Sequence, residues 1–408
     1  MRSRQAAAGR RARAIDRRGA MSGFDVAIVG GGVMGLSVAW HLLQRDRNLE
    51  ITVIERDPSY AFASTPRSAG GIRLQFSLPE NVAMSAYGLE FYGGFASALA
   101  VEGEVPEVAL RQQGYLFLLP EESRQTAAAI NRMQLDLGAR TELLEADEIA
   151  RRFPSLALDD VAFGSFGPED GWMDPHAILA GFRKAAVAAG AEYRKGTVVA
   201  IETADGCATG LRLDDDSRIA ARHIVCAAGA WSRDLLATAG VAVPVAPVRR
   251  MVFYFDIRER LEPLPLTISP DGHYFRPEGA GYICGRSVED EPEGDNFAVD
   301  HGYFEETLWP ALAARCPAFE ALKLKNAWAG LYDVNRLDEN MIVGPHPEGP
   351  DNLHVLCGFS GHGLQQAPAA GRAIAELVLD GRFTSIDLAR LSCRRLVTGE
   401  ALPEAAIV

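Results

Sequence analysis

The chain has 408 residues, 48% hydrophobic and 23% charged, with a net charge of −13. That length and apolar content support two packed domains, and the negative balance excludes nucleic acid as a partner, because a nucleic-acid surface requires a basic face. No apolar run reaches the length of a membrane span. The six cysteines (207, 226, 284, 316, 357 and 393) form neither a C-x-x-C pair nor a His-rich cluster, which predicts reduced thiols and no metal site.

The first twenty residues carry seven arginines against one acid, a charge of +6 that leaves −19 on the remainder. Two readings are open: a mitochondrial presequence, or a natural start at Met21, the plainer of the two. The expected location is accordingly the mitochondrial matrix or the cytoplasm.

An apolar run, Val26 to Val29, leads into Gly30, Gly32 and Gly35 in G-x-G-x-x-G spacing, then an apolar helix from Met34 to Leu43 and a strand ending at Glu55. This unit binds a dinucleotide: Gly30 makes the tight turn, Gly32 admits a pyrophosphate close to backbone, and Gly35 lets helix pack on strand. The helix N-terminus offers unpaired N–H groups to the phosphates. Glu55, twenty residues past Gly35, is placed to bond a ribose hydroxyl and to repel a 2′-phosphate.

Next come a Gly-rich turn, Ser64 to Gly71, and a helix over 83–98. Residues 101–165 pair a strand at Tyr115–Leu119 with an amphipathic helix, AAAINRMQLDL. Asp174 and Pro175 cap and open a helix that stops at Gly190. Strands follow at 197–202, 210–213 and 222–226, with the DDD run at 214–216 as a hairpin turn. HIVCAAGAW at 223–231 is a buried strand ending in small residues that let the chain pass near a cofactor. Between 244 and 328, strands at 250–256, 274–276 and 282–285 lack intervening helices, which predicts an antiparallel sheet. EDEPEGD at 289–295 reads as solvated surface. A strand at 354–357, a turn with three glycines and a helix over 365–379 close the pattern and aim a second helix N-terminus at something anionic.

The fold class is therefore α/β: a discontinuous Rossmann-like domain over 21–100, 166–243 and 329–408, and a second, mainly antiparallel α+β domain over 101–165 and 244–328.

GGGVMGLSVAW, AAGAW and GFSGHGLQQAPAAGRAIAELV resemble the D-amino-acid oxidase and sarcosine oxidase superfamily of FAD enzymes over nearly the whole chain. FSLPEN at 76–81, the stretch from Trp328 through VGPHP at 343–347, and FSGHGLQQAP at 359–368 resemble a mitochondrial branch of it implicated in assembly of respiratory complex I.

The resemblance implies extended FAD, with Gly30, Gly32, Val33, Met34, Gly35, Glu55 and Arg56 on its ADP half and Val199 holding adenine through backbone. It places Ser64, Thr65, Arg67, Gly70 and Gly71 along the flavin and Ala228, Gly229 and Trp231 beside the cofactor. Gly330, Gly361, His362, Gly363 and Leu364 would surround the pyrimidine edge, where a helix N-terminus stabilises charge that develops on reduction. Gly330 stands where monomeric sarcosine oxidases carry a flavin-linking cysteine, and Arg67 near the linking histidine of dimethylglycine dehydrogenases, so noncovalent FAD is expected.

Ile283 replaces the oxidases' oxygen-activating lysine, with Arg286 as a partial substitute, and Gln365 replaces their carboxylate-holding lysine. The substrate is expected to be a small amine or amino acid, not specifically sarcosine, oxidised at its C–N bond, with electrons passed to oxygen, a carrier protein or a quinone. Arg276 is the expected carboxylate clamp, as a bidentate fork beside an aromatic, with Arg73 in reserve; Tyr274 and Tyr332 close the pocket, and His362 touches flavin or substrate. The remaining histidines receive no role. The alternative is an FAD-containing assembly factor for complex I components with little turnover.

Overall fold

The computed structural model describes residues 23–288 and 290–404; the basic segment 1–20 lies outside them. Two eight-stranded sheets organise the chain. In the first, Ile51–Glu55, Phe24–Val29, Arg218–Cys226 and Leu353–Cys357 lie side by side and parallel, flanked by Glu192–Lys195 on one edge and Ile342–Pro345 on the other. These strands are nearly continuous runs of Val, Ile, Leu and Ala, as a sheet covered on both faces demands. A hairpin, Val198–Ala204 with Cys207–Leu213, extends from Arg218–Cys226.

Helices Val33–Arg45, Pro79–Gly93, Pro175–Ala189 and Gly363–Asp380 cover one face and enclose the largest core, which includes Leu36, Leu42, Phe95, Phe182, Ala370 and Ile374. Asp174 accepts from the amides of His176 and Ala177, the cap that starts its helix. Gly363–Asp380 contains Pro368, which can donate nothing to the carbonyl four residues back. The hydroxyl of buried Tyr92 answers that Leu364 carbonyl instead, at 2.6 Å.

The second sheet runs Lys323–Asn335, Val245–Asp256, Gly281–Gly285, Tyr274–Glu278, Leu266–Ile268, Tyr115–Leu119, Phe163–Gly167, Glu142–Glu145. Every neighbouring pair is antiparallel except Leu266–Ile268 with Tyr115–Leu119. The mixed α/β class expected from the sequence is the one observed. Phe163–Gly167 and Lys323–Asn335 cross the 165/166 and 328/329 boundaries drawn from sequence, because long strands carry the chain from one domain into the other.

Strand period decides which side chains matter. The register pairs Tyr115, Leu266, Tyr274 and Ile283 through Arg250 to Gly330 and Tyr332 on one face, turned toward the first sheet. The opposite face, with Phe253, Phe255, Phe275 and Cys284, packs on Phe304, Leu308 and Phe319.

Candidate active site

Between the sheets lies a cavity of about 1110 Å³. Its far end is the glycine turn. A Cβ on Gly35 would stand 1.9 Å from the Gly30 carbonyl, so helix and strand meet only because that residue is glycine. Glu55 accepts from the amides of Gly31 (2.7 Å) and Asp57 (2.9 Å), and a carboxylate keeps further lone pairs for hydroxyl donors. Tyr60 donates to the Gly31 carbonyl at 2.8 Å and meets the Tyr193 hydroxyl at 2.7 Å. These contacts hold the turn open at the start of the helix, whose first amides have no carbonyl of their own helix to bond.

The near end is built on residues 358–364. Gly358, Ser360 and Gly361 all have positive φ, a tight reversal that only small residues sustain. The turn is pinned from below: Asp333 accepts from the amides of Gly358 (2.8 Å) and Phe359 (3.2 Å), and burial raises its pKa to about 6. His362 ends the turn and starts the helix. Its Nε2 lies 3.2 Å from Arg73 Nη2, and its Nδ1 is buried without a partner. Burial, with Arg73 adding to it, drives its pKa down to about 3, so the ring is neutral. Guanidinium only donates, so Nε2 accepts and Nδ1 carries the proton, buried within the protein without an acceptor.

Facing this end from the second sheet are Tyr115, Tyr274 and Tyr332, with Arg250 and Arg286. Burial raises all three tyrosine pKa values, that of Tyr115 to about 12, so all are neutral hydroxyl donors. Arg73 sits over Phe76 (4.4 Å) and Phe117 (5.0 Å), 6% exposed, its backbone amide on Gln365 Oε1.

Most residues named from sequence meet here. Gly30, Gly32, Val33, Met34, Glu55, Arg56, Ser64, Thr65, Arg67, Gly71, Ala228, Gly229, Trp231, Gly330, Gly361, His362, Gly363 and Leu364 line the cavity, with Arg73, Tyr274 and Tyr332.

Four expectations need correction. Arg276 is absent from the wall: its Nε and Nη2 donate to the Ala69 carbonyl (2.9 and 2.6 Å), and its Nη1 to the Pro277 carbonyl and the Glu278 carboxylate. It ties the second sheet to the flavin-side turn and is not a substrate clamp. Gly70 packs under the Met173 carbonyl. Val199, expected to hold adenine through its backbone, does not line the cavity; Gly196, Thr197 and Val198 do, so the chain's approach lies just before it. The acidic stretch after residue 289 is a strap and not free surface: Glu291 pairs with Arg249 at 2.7 Å, Glu293 with Arg233 and Arg336 at 3.1 Å, and Asp295 accepts from Trp231 Nε1 at 3.0 Å.

Other placements add to the map. Ile283 faces inward without lining the cavity, whereas Arg286 lines it and reaches Asp271 at 3.4 Å. Among histidines given no role, His273 joins Asp271 (2.5 Å) to Ser269 (3.0 Å), but Ser269 is 1% exposed and also takes Arg315 Nε, so the relay staples a hairpin. Tyr60, Tyr115, Arg250, Asp333 and Glu404 line the cavity and were not singled out from sequence. YLFLL around Tyr115 looks like any buried strand, and only pairing in the sheet distinguishes it. Among the described residues there is no metal-binding cluster, and no helix is long and apolar enough to cross a membrane.

A dinucleotide turn at one end, a donor-rich helix start at the other and an aromatic sheet between define a flavin-dependent oxidoreductase site. Residues 25–377 match the family model described as FAD dependent oxidoreductase, and the chain belongs to that family. It is 39% identical over 94% of its length to "FAD-dependent oxidoreductase domain-containing protein 1" of Bos taurus, covering 87% of that protein. It is 27% identical over 93% of its length to the monomeric sarcosine oxidase of Streptomyces avermitilis, covering 99% of it. Its fold matches L-proline dehydrogenase from P. horikoshii with a TM-score of 0.84 at 26% identity, over 93% of this chain and 100% of that one. The cofactor is FAD, and the residues present fit it: the glycine turn can cradle pyrophosphate, and the start of Gly363–Asp380, which lines the other end of the cavity, can receive the ring.

Proposed function

We propose that this protein oxidises the C–N bond of a small amino acid or N-methylated amine. The observation that carries this reading is the near end of the cavity, where a neutral His362 held by Arg73, a helix N-terminus and a tyrosine wall converge. Named relatives that act on amines, among them the S. avermitilis sarcosine oxidase, support it.

When bound, FAD supplies the acceptor for the hydride that leaves the carbon next to the amine nitrogen. The chain's residues supply binding, orientation and charge. Arg73 is the carboxylate-binding residue at this end, taking the place expected of Arg276. The tyrosine wall and the Leu266 and Ile268 side chains exclude water and hold the substrate carbon in position. The first amides of Gly363–Asp380 would hold the ring edge at a positive helix end, which would stabilise negative charge there, and His362, fixed by Arg73, positions that helix start. No proton needs to move through His362, because its Nε2 is occupied and its ring stays neutral.

The test is anaerobic mixing of the yellow protein with a panel of amino acids and N-methylated amines. Bleaching of the flavin band by one class supports the reading, and a band that no amine bleaches overturns it. Ile283 supplies no ammonium and Arg286, the one candidate substitute lining the cavity, is paired with Asp271, so the electrons go to a carrier or quinone; slow reoxidation of the bleached protein in air is expected, and rapid reoxidation would assign the lysine's role to Arg286 and oxygen as acceptor. FAD is held noncovalently: Gly330 offers no thiol, and Arg67 is spent on the Ala61 and Ala329 carbonyls. Acid precipitation should leave the colour in the supernatant.

A further inference from the structure

We propose that residues 291–298 form a lid over the FAD cavity and that the ion pair from Glu293 to Arg233 latches it, setting how fast FAD enters and leaves. This uses the FAD assignment alone and does not depend on which amine is oxidised.

The segment is a loop whose two ends are held by one side chain. Arg249, on the strand Val245–Asp256, donates through Nε and Nη2 to the Glu291 carboxylate at 2.7 and 3.1 Å, and through Nη1 to the Ala298 carbonyl at 2.7 Å. Its ends therefore lie close together, as in a compact surface loop that can act as a unit. This base is dry: the Glu291 and Arg249 side chains are 3% and 14% exposed. The loop has no helix or strand of its own, and a bridge between Val248 and Glu293 and the Gly294 amide on the Pro247 carbonyl (3.0 Å) join it to the second sheet.

From that base the loop reaches the first domain at three points. Glu293 pairs with Arg233 at 3.1 Å, Asp295 accepts from Trp231 Nε1 at 3.0 Å, and the Phe297 ring lies 4.8 Å from that of Phe62, with the Arg67 guanidinium 5.5 and 5.6 Å from the two rings. Asp295 and Phe297 line the cavity, and so do Trp231, Phe62 and Arg67. Trp231 stands toward the glycine turn, since Arg56, next to Glu55, stacks on it at 3.6 Å. Arg67 stands toward the other end, since its Nη1 reaches the Ala329 carbonyl beside Gly330. The loop thus runs lengthwise over the cavity, and a cofactor that fills both ends lies beneath it.

The contacts that close the lid are weaker than those of its base. The Glu293 and Arg233 side chains are each 43% exposed and Phe62 is 50% exposed, and an ion pair so exposed contributes little and is screened by salt. Nor is the loop packed down on its own sheet: a second cavity, of about 380 Å³, lies against it, lined by Val248, Arg250, Pro292, Glu293 and Arg336. Glu293 and Asp295 are held by protein groups, Arg233, Arg336 and Trp231, so the latch closes whether or not cofactor is bound. A closure of that kind slows entry as well as exit.

Dilution of holoprotein releases FAD, and the relaxation of flavin fluorescence at several protein concentrations gives the rate constants for release and rebinding. Glu293→Gln and Arg233→Gln should each raise both constants by about two- to fivefold, and the double variant should match the larger single effect, as one interaction removed twice. The variant-to-wild-type ratios should fall toward one in 1 M salt, where the screening length is about 3 Å. Rate constants that the substitutions leave unchanged overturn the inference. So does faster release with unchanged rebinding, which would make Glu293 and Arg233 part of a fixed wall. An effect of undiminished size in 1 M salt also overturns it, because lost packing and not a lost ion pair would then be responsible.

Discussion

At the residue scale, two side chains expected to work together in the pocket divide into a structural and a functional one. Arg276 is buried, with its donors on main-chain carbonyls and Glu278, so Arg276→Met removes the link between Ala69 and the second sheet. A loss of about 2 kcal/mol or more in urea denaturation is expected, with the KM of folded enzyme for a carboxylate substrate unchanged; a large rise in KM at unaltered stability would restore Arg276 as the clamp. His362 is the reverse case. With its pKa near 3, it does not titrate above about pH 5, so the pH profile of flavin reduction should carry no His362 step between pH 5 and 9. His362→Ala removes the ring nitrogen that accepts from Arg73 and should slow reduction on the order of a hundredfold by misplacing Arg73, whereas His362→Asn, whose side-chain oxygen can accept in its place, should recover much of the rate. A rate step near pH 6.5 that vanishes in His362→Asn would show a titrating base instead.

At the scale of elements, the helix Gly363–Asp380 shows how a local defect is absorbed. Its proline at 368 argues against a helix when read alone, yet the alanine-rich pattern around it is helical, and the pattern prevails because Tyr92 from Pro79–Gly93 bonds the carbonyl that proline leaves open. Tyr92→Phe keeps the ring and removes the bond. The buried Leu364 carbonyl then lacks a partner, which should cost about 1 to 3 kcal/mol and loosen FAD, since Leu364 lines the cavity; unchanged thermal stability and FAD affinity would show that the contact carries nothing. The parallel strands and helices were legible in sequence because each repeats its own period and punctuation: GGGVMG, Asp174-Pro175 and Gly190 all sit where their turns or caps require. Which side of a strand faces the cavity was less legible. Val198 and Val199 are equally apolar, and the choice between them depends on pairing across the hairpin with Cys207–Leu213.

At the scale of the whole molecule, the two sheets trap acidic groups in dry positions, and this makes stability depend on pH. Asp170, 1% exposed, accepts from the Leu74 amide at 2.9 Å and from Gln75 Nε2 at 3.0 Å, and burial still raises its pKa to about 7. Asp333 behaves alike, with a pKa near 6. A folded pKa above the unfolded value means that the native state binds more protons through that window, so this contribution is full below about pH 4 and is lost as pH rises through 6 and 7. The lowered histidines act oppositely but only below about pH 6.5. Between pH 6.5 and 8 the carboxyls dominate: stability should fall by about 1 kcal/mol through Asp170, and Asp170→Asn should flatten that slope in urea titrations at fixed ionic strength. A slope unchanged by the substitution would mean Asp170 is not the group responsible.

The sequence by itself determined what is local and periodic: the dinucleotide turn, the helix starts, the alternation of apolar strands, and a resemblance carried by long contiguous motifs, which together placed most of the cavity wall. Tertiary structure alone decided which charges face one another. Arg73, Arg250 and Arg276 are alike as letters in apolar strings; register puts Arg250 and Arg276 on the same face of the second sheet, but the Ala69 carbonyl and Glu278 take up Arg276 while Arg250 lines the cavity, and the fold brings Arg73 to His362 across 289 residues. Sequence spacing specifies helices, strands and turns; the electrostatic fate of a side chain depends on partners that only packing supplies.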